Sequence, residues 1–179
     1  MADDLTRREF VKLGVTGAAA LAVGSGLATA APPMPERPLG RTGHMVRLFS
    51  LGGQASIEQA DKHDVSIAII NRAIDLGVNY IDTAAAYGRP RTPDTPRWEL
   101  RGISQTYIGE VMATRRKEVF LASKTDDRTR DGSLKLLEQS LKLLKTDHLD
   151  LWQLHNVQRA EQVEQIFGKD GAIEALVKA

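Results

Sequence analysis

The chain has 179 residues, with 24 basic and 23 acidic side chains and a formal charge of +1. That length gives one domain with enough chain for a sizeable core, and so even a charge balance argues against nucleic acid as the main partner, since phosphate binding leaves a basic footprint. Cysteine is absent, which excludes disulfides, thiolate catalysis and cysteine-ligated metals and leaves the chain indifferent to an oxidising compartment.

The first thirty residues read as an address. Thr6-Arg7-Arg8-Glu9-Phe10-Val11-Lys12 is a basic start, Leu13 to Leu27 is a mildly apolar stretch, and Ala28-Thr29-Ala30 is a small-x-small site. In that order they make a secretory signal, and the paired arginines before Phe10 and Lys12 point to its twin-arginine variant. The stretch is rich in glycine and alanine and shorter than the roughly 18 to 20 apolar residues a bilayer span needs. An uncleaved amphipathic anchor explains the three parts less well. The expectation is cleavage after Ala30, export to a bacterial periplasm by the twin-arginine machinery, and no stable membrane span afterwards. Residues 31–36 are then an extended linker, since proline removes donors and fixes the backbone.

Turn residues in Leu39-Gly40-Arg41-Thr42-Gly43 predict a small hairpin before the first strand of the main sheet, placed at Val46 to Leu51 and ending at Gly52-Gly53. Asp64 can cap a helix carrying Ile67, Ile70, Ala73 and Ile74, which Gly77 ends. Val78 to Asp82 is the next strand. Ile103, Tyr107 and Val111 recur every four residues and predict a second helix. Val119 to Ser123 is a third strand. Leu134, Leu137, Leu141 and Leu144 mark a third helix, and Leu149 to Leu154 a fourth strand. Glu161 to Ala179 is helical in composition, interrupted at Gly168 to Gly171.

Alternating strands and helices imply an α/β fold with a parallel sheet. The sheet can close as a (β/α)8 barrel or stay open and doubly wound. No G-x-G-x-x-G follows a strand, which weakens the open dinucleotide-binding form; periodicity decides no further.

Ionisable groups stand at successive strand ends. Asp82 ends the second strand, Lys124 the third and His155 the fourth, and Tyr87 lies in the loop after Asp82. In a parallel barrel all these ends share one face, the one that carries active sites. Taken singly, each has a plainer explanation as a turn residue, a loop aromatic or a solvated strand end. Together they require four coincidences on one mouth.

Arg37-Pro38-Leu39-Gly40-Arg41-Thr42-Gly43, Leu51-Gly52-Gly53, Asp82-Thr83-Ala84-Ala85-Ala86-Tyr87-Gly88, Ser123-Lys124-Thr125 and Leu149-Asp150-Leu151-Trp152-Gln153-Leu154-His155-Asn156 resemble the aldo-keto reductases, in the family's order, across nearly all of residues 36 to 179. The resemblance implies a (β/α)8 barrel that reduces a small carbonyl substrate, an aldehyde or ketone, with NADP(H). It also implies a catalytic tetrad of Asp82, Tyr87, Lys124 and His155. The residue types suit that chemistry. Hydride addition makes an oxyanion that needs a proton, and a free phenol is too weak an acid to give one readily near neutrality. A neighbouring ammonium favours the phenolate left behind. Lys124 would supply it, Asp82 would hold Lys124, and His155 would donate a hydrogen bond to the carbonyl oxygen.

Two departures from the family pattern stand out. Four strands are present where the family has eight, so the chain reads as the N-terminal half of a TIM barrel, 37–179, truncated after about four units. The family's grip on the adenosine phosphate lies in the other half, and no cofactor-binding residue is carried over. Arg89 to Arg101 holds three prolines and four arginines and reads as a solvated surface loop more readily than as an anion clamp. Trp152 reads as core. His44, His63 and His148 lack metal-like spacing. The alternative to an exported reductase is an inactive half-barrel whose open edges associate with itself or another chain.

Overall fold

A computed structural model describes residues 34–88 and 101–179. The signal expected at 1–30, the first half of the linker, Trp98 and the arginine- and proline-rich loop up to residue 100 lie outside the described residues.

The polypeptide first forms an antiparallel hairpin, β1 (Glu36–Pro38) and β2 (Met45–Arg47), with Arg37 opposite Val46. Gly40 and Gly43 take positive φ in the turn, where a side chain would strain the backbone. Arg47 fixes the hairpin to the sheet. Its guanidinium donates to Glu36 at 2.9 Å and to the Gly77 carbonyl at 2.6 Å, while its backbone N–H donates to Asn79 Oδ1 at 2.9 Å. Asn79 returns a bond to the Met45 carbonyl at 2.8 Å, and His44 packs on Phe120 with ring centroids 4.7 Å apart. Asn79 and Phe120 lie at the N-terminal ends of their strands, so the hairpin sits at the end of the sheet away from Asp82, Lys124 and His155.

The expected first strand, Val46 to Leu51, is therefore two pieces. Val46 and Arg47 belong to the hairpin, and only β3 (Leu51–Gly52) joins the main sheet. The division follows from Leu48, whose N–H bonds to Pro35 O at 2.9 Å.

After β3 come helix α1 (His63–Asp75), β4 (Tyr80–Asp82), α2 (Ile103–Arg115) with a short 3-10 turn, β5 (Phe120–Thr125), α3 (Arg130–Leu144), β6 (Leu151–Leu154), α4 (Ala160–Phe167) and α5 (Ala172–Lys178). The sheet order is β3-β4-β5-β6 and every pair is parallel. Ile70 and Ile74 of α1, Ile81 of β4, Ile108, Val111 and Met112 of α2, Leu121 of β5 and Leu144 of α3 form one buried cluster between helices and sheet. Helices α2 and α3 cross closely at Gly109, where an added Cβ would lie 2.0 Å from the Leu143 carbonyl oxygen.

Two helix details differ from the expectation. Asp64 lies in the first turn of α1 and makes no cap; its carboxylate pairs with His63 Nδ1 at 2.8 Å. The residue that does cap is Thr129, whose hydroxyl accepts from Gly132 N at the start of α3. Strand β5 runs on through Thr125, so Lys124 is a strand residue. Gly77 ends α1 with φ +93 as expected. Lys135, Lys142 and Lys145 are exposed, and Trp152 is half-buried in a groove with Leu137, Leu141, Leu149 and Leu176.

Candidate active site

Parallel register lines up the strand ends. Gly52 pairs with Asp82, Asp82 with Ala122, and Lys124 with Gln153. His155 follows β6 and its N–H reaches back to the Thr125 carbonyl at 2.8 Å. Asp82, Lys124 and His155 thus stand side by side on one edge.

Tyr87 joins them through a turn that β5 pins down. Ala85 N donates to Lys124 O at 3.1 Å, Thr83 N to Ala122 O at 2.9 Å, and Tyr87 N to Ala84 O at 3.1 Å. Thr83, Ala84 and Ala85 are buried, so small side chains let this turn lie against β5. Gly53 serves the same end. Its N–H bonds to Asp82 O at 2.6 Å, and a Cβ there would lie 2.8 Å from that oxygen.

All four residues expected in the tetrad come together. Lys124 Nζ donates to Asp82 Oδ2, to the Thr83 carbonyl at 2.9 Å and to Tyr87 Oη at 3.3 Å. The Tyr87 and His155 rings meet edge to face, with centroids 5.4 Å apart at 81°. Burial lowers the pKa of His155, and the Lys124 ammonium lowers it further, against the opposing pull of Asp126 and Asp82. The imidazole is therefore neutral at neutral pH and keeps one N–H to donate.

The sequence reading missed the layer beneath. Thr83 and Ser104 share a buried 2.9 Å hydrogen bond. Gln105 Nε2 donates to Ser123 Oγ at 2.9 Å and to Ser140 Oγ at 2.8 Å, joining α2, β5 and α3 directly behind the lysine strand. Arg101 clasps Asp126 with two hydrogen bonds of 3.0 and 2.5 Å. Burial alone would raise the Asp126 carboxyl, but the Arg101 hydrogen bonds and charge outweigh it and hold it below the usual carboxylate range. Partners 18 to 35 residues apart leave no local signal, although a glutamine on the apolar side of α2 was a usable hint. Among the described residues no group of three or more His, Asp or Glu could hold a metal ion.

Residues 48–179 match the family model described as Aldo/keto reductase family. An uncharacterized oxidoreductase of Bacillus subtilis, YqkF, is 31% identical over 134 residues, which are 68% of this chain and 39% of that protein. The holo form of aldo-keto reductase AKR11C1 from Bacillus halodurans superposes with a TM-score of 0.63 at 24% identity, covering 81% of this chain and 46% of that one, a likeness of fold. An aldo-keto reductase from Klebsiella pneumoniae solved in complex with NADPH superposes with a TM-score of 0.54 at 26% identity, over 69% of this chain and 41% of that one. The chain spans about two fifths of the length of such relatives, and its four parallel strands are part of a barrel.

Proposed function

Because the chain belongs to the aldo/keto reductase family, we propose that it carries the proton-transfer site of an NADP(H)-dependent reductase that turns an aldehyde or ketone into an alcohol, with Tyr87 as the general acid. The observation that carries this reading is the position of Lys124 Nζ, bonded to Asp82 and 3.3 Å from Tyr87 Oη, beside the His155 ring.

NADP(H), when bound, supplies a hydride to the carbonyl carbon. The donor set suits that partner, because a cation, a phenol and a neutral imidazole in one cluster are what a developing oxyanion needs. No side chain here is assigned to the cofactor's phosphates. An ammonium has three protons and no lone pair. Lys124 has three acceptors in reach, Asp82 Oδ2, Thr83 O and Tyr87 Oη. At Tyr87 the phenol oxygen therefore accepts, and its own proton is left for the substrate oxygen. As that proton leaves, the Lys124 charge stabilises the phenolate. Asp82 keeps Lys124 in place, and neutral His155 orients the carbonyl without adding a second cation.

The test is NADPH consumption with a panel of aldehydes and ketones. Tyr87→Phe is expected to lose roughly 100- to 10,000-fold in rate, the usual scale for a general acid. Turnover unchanged by Tyr87→Phe would remove the assignment.

A second reading, a half-barrel inactive by itself that associates, is favoured by one feature. Phe49, Leu51, Val65, Ile69, Leu76 and Val78 wall an apolar groove of about 580 Å³ beside edge strand β3, with Phe49 70% and Leu76 58% exposed. Patches and edges of this kind invite association. Light scattering with an NADPH fluorescence titration separates the readings: a monomer that binds NADPH supports the first, an associated species that does not bind it the second.

Residues 1–30 are proposed to direct export to the periplasm by the twin-arginine route, leaving no membrane-spanning segment after cleavage. Among the described residues no helix is long and apolar enough to cross a membrane.

A further inference from the structure

We infer that the polar recess beside His155 is a subsite for an anionic group of the substrate, so that the site selects small carbonyl compounds bearing a carboxylate or phosphate. This rests on the reductase reading and adds the substrate class.

The recess holds about 450 Å³, and Asp126, Arg128, His155, Asn156, Arg159 and Gln162 are among the residues that line it. It is built mainly by the loops after β5 and β6, with Ala86 from the loop after β4 and Gln162 from α4, at the strand ends where a barrel's reacting groups stand. His155 belongs to both the tetrad cluster and this wall, so a ligand group here adjoins the reacting carbonyl.

Charge and hydrogen-bonding capacity both favour an anion. Asp126 is the one acid in the lining, and Arg101 already neutralises it. Arg128 and Arg159 remain as cations. Arg128 Nη2 donates to the carbonyls of His155 at 2.7 Å and Asn156 at 3.1 Å. Its Nε and Nη1 are buried with no acceptor among the described residues. Buried charged donors without acceptors are costly, and a charge-assisted bond to an oxyanion relieves them best. Gln162 Oε1 is occupied by the N–H groups of Gln158 at 2.9 Å and Arg159 at 3.1 Å. That amide has mainly donors left to offer. An apolar substituent would desolvate these groups and return nothing.

The alternative source of an anion is a phosphate of the cofactor, and the experiment separates the two. Malonate, its neutral analogue malonamide, and NADPH are titrated in turn into the full chain, followed by ¹H–¹⁵N NMR and calorimetry. Binding is read without turnover, so the result does not depend on reduction, and Tyr87→Phe should bind malonate normally. Malonate is expected to shift the amide signals of His155 and Asn156, and malonamide to leave them in place. Arg128→Gln should weaken malonate by about tenfold or more, the loss of one charge-assisted pair, and Arg128→Lys should recover part of it. Arg159→Gln, which leaves the Arg128 contacts to the backbone intact, should weaken malonate also and keeps the test open if Arg128→Gln fails to fold. Absence of malonate binding, equal binding of malonamide, or malonate affinity unchanged in Arg159→Gln would overturn the inference. NADPH affinity falling in Arg128→Gln as much as malonate affinity would assign the anion to the cofactor and overturn the substrate assignment.

Discussion

Gly109→Ala is the sharpest test of the packing that holds the site. A Cβ at this position would stand 2.0 Å from Leu143 O, 2.9 Å from Leu144 Cα and 3.0 Å from Leu143 C. All three are backbone atoms, so no side chain can swing aside, and α2 must draw back from α3 by roughly 1 Å to restore van der Waals separation. Overpacking of this kind costs about 1–3 kcal/mol, and a rigid obstacle belongs at the upper end. The retreat also stretches the 2.8 Å bond from Gln105 to Ser140, whose loss adds about 1 kcal/mol. Alanine's better helix propensity returns about 1 kcal/mol. The net expectation is a loss of about 2–3 kcal/mol, on the order of 4–12 °C in melting temperature for a domain of this size. Urea and thermal unfolding followed by circular dichroism measure it. Ala113→Gly, on the exposed side of the same helix, is the control and should lose about 1 kcal/mol from propensity alone. A Gly109→Ala chain as stable as its parent would mean that α2 and α3 do not cross at this distance.

Three further outcomes follow from the geometry. On the proposed reductase reading, Lys124→Met should cost roughly 100-fold or more in carbonyl reduction, because Tyr87 then loses its neighbouring cation; steady-state rates near the parent's would contradict the role. Gly53→Ala should displace Asp82, whose carbonyl oxygen would lie 2.8 Å from the new Cβ, and lower the rate while the fold persists by circular dichroism; an unchanged rate would show that Asp82 tolerates the shift. Changing Arg7 and Arg8 together to Lys should hold the precursor in the cytoplasm, as fractionation and immunoblotting would reveal; normal processing and periplasmic recovery would reject the twin-arginine assignment.

What the sequence made legible was whatever repeats or punctuates locally. The leucines from Leu134 to Leu144 disclosed α3, and Gly77 disclosed the end of α1, because a 3.6-residue period and a left-handed cap are properties of neighbouring residues. The meeting of Asp82, Tyr87, Lys124 and His155 was legible for a related reason: each sits at or just beyond a strand end, and a parallel sheet carries all such ends to one side. The strand at Val46 to Leu51 misled because an apolar run does not say which sheet its residues join, and Arg47 settles that through Gly77 and Asn79, some thirty residues on. Asp64 had the residue type of a cap, but His63 competes for its carboxylate. Gln105 and Arg128 escaped notice, and Arg101 was read only as the end of a solvated loop although it pairs with Asp126, because their meaning lies in partners that only the folded chain brings near.

The His155 titration reports on the assembled cluster without any need for turnover. Burial is the largest cause of its lowered pKa and the Lys124 charge the second. Both act only when β5 and β6 are paired, since Lys124 lies opposite Gln153, two residues before His155. In an NMR titration of the chain's four histidines, His155 should therefore titrate below the ordinary value of about 6.5. His63 should titrate above it, raised by its hydrogen bonds to Asp64 and Glu110. Lys124→Met should move His155 upward, because the lost cation no longer opposes protonation and Asp82 is freed to favour it, while desolvation should keep it from returning fully. The sign carries over to stability. Between the folded pKa of His155 and about 6.5, the unfolded chain binds more protons than the folded one, so this group makes stability rise with pH through that window. The contribution is fully present above the window and lost as pH falls through it, and His155→Gln should flatten this slope. A His155 signal that titrates at the ordinary value, or that fails to move upward in Lys124→Met, would mean that the lysine and the imidazole do not share one site.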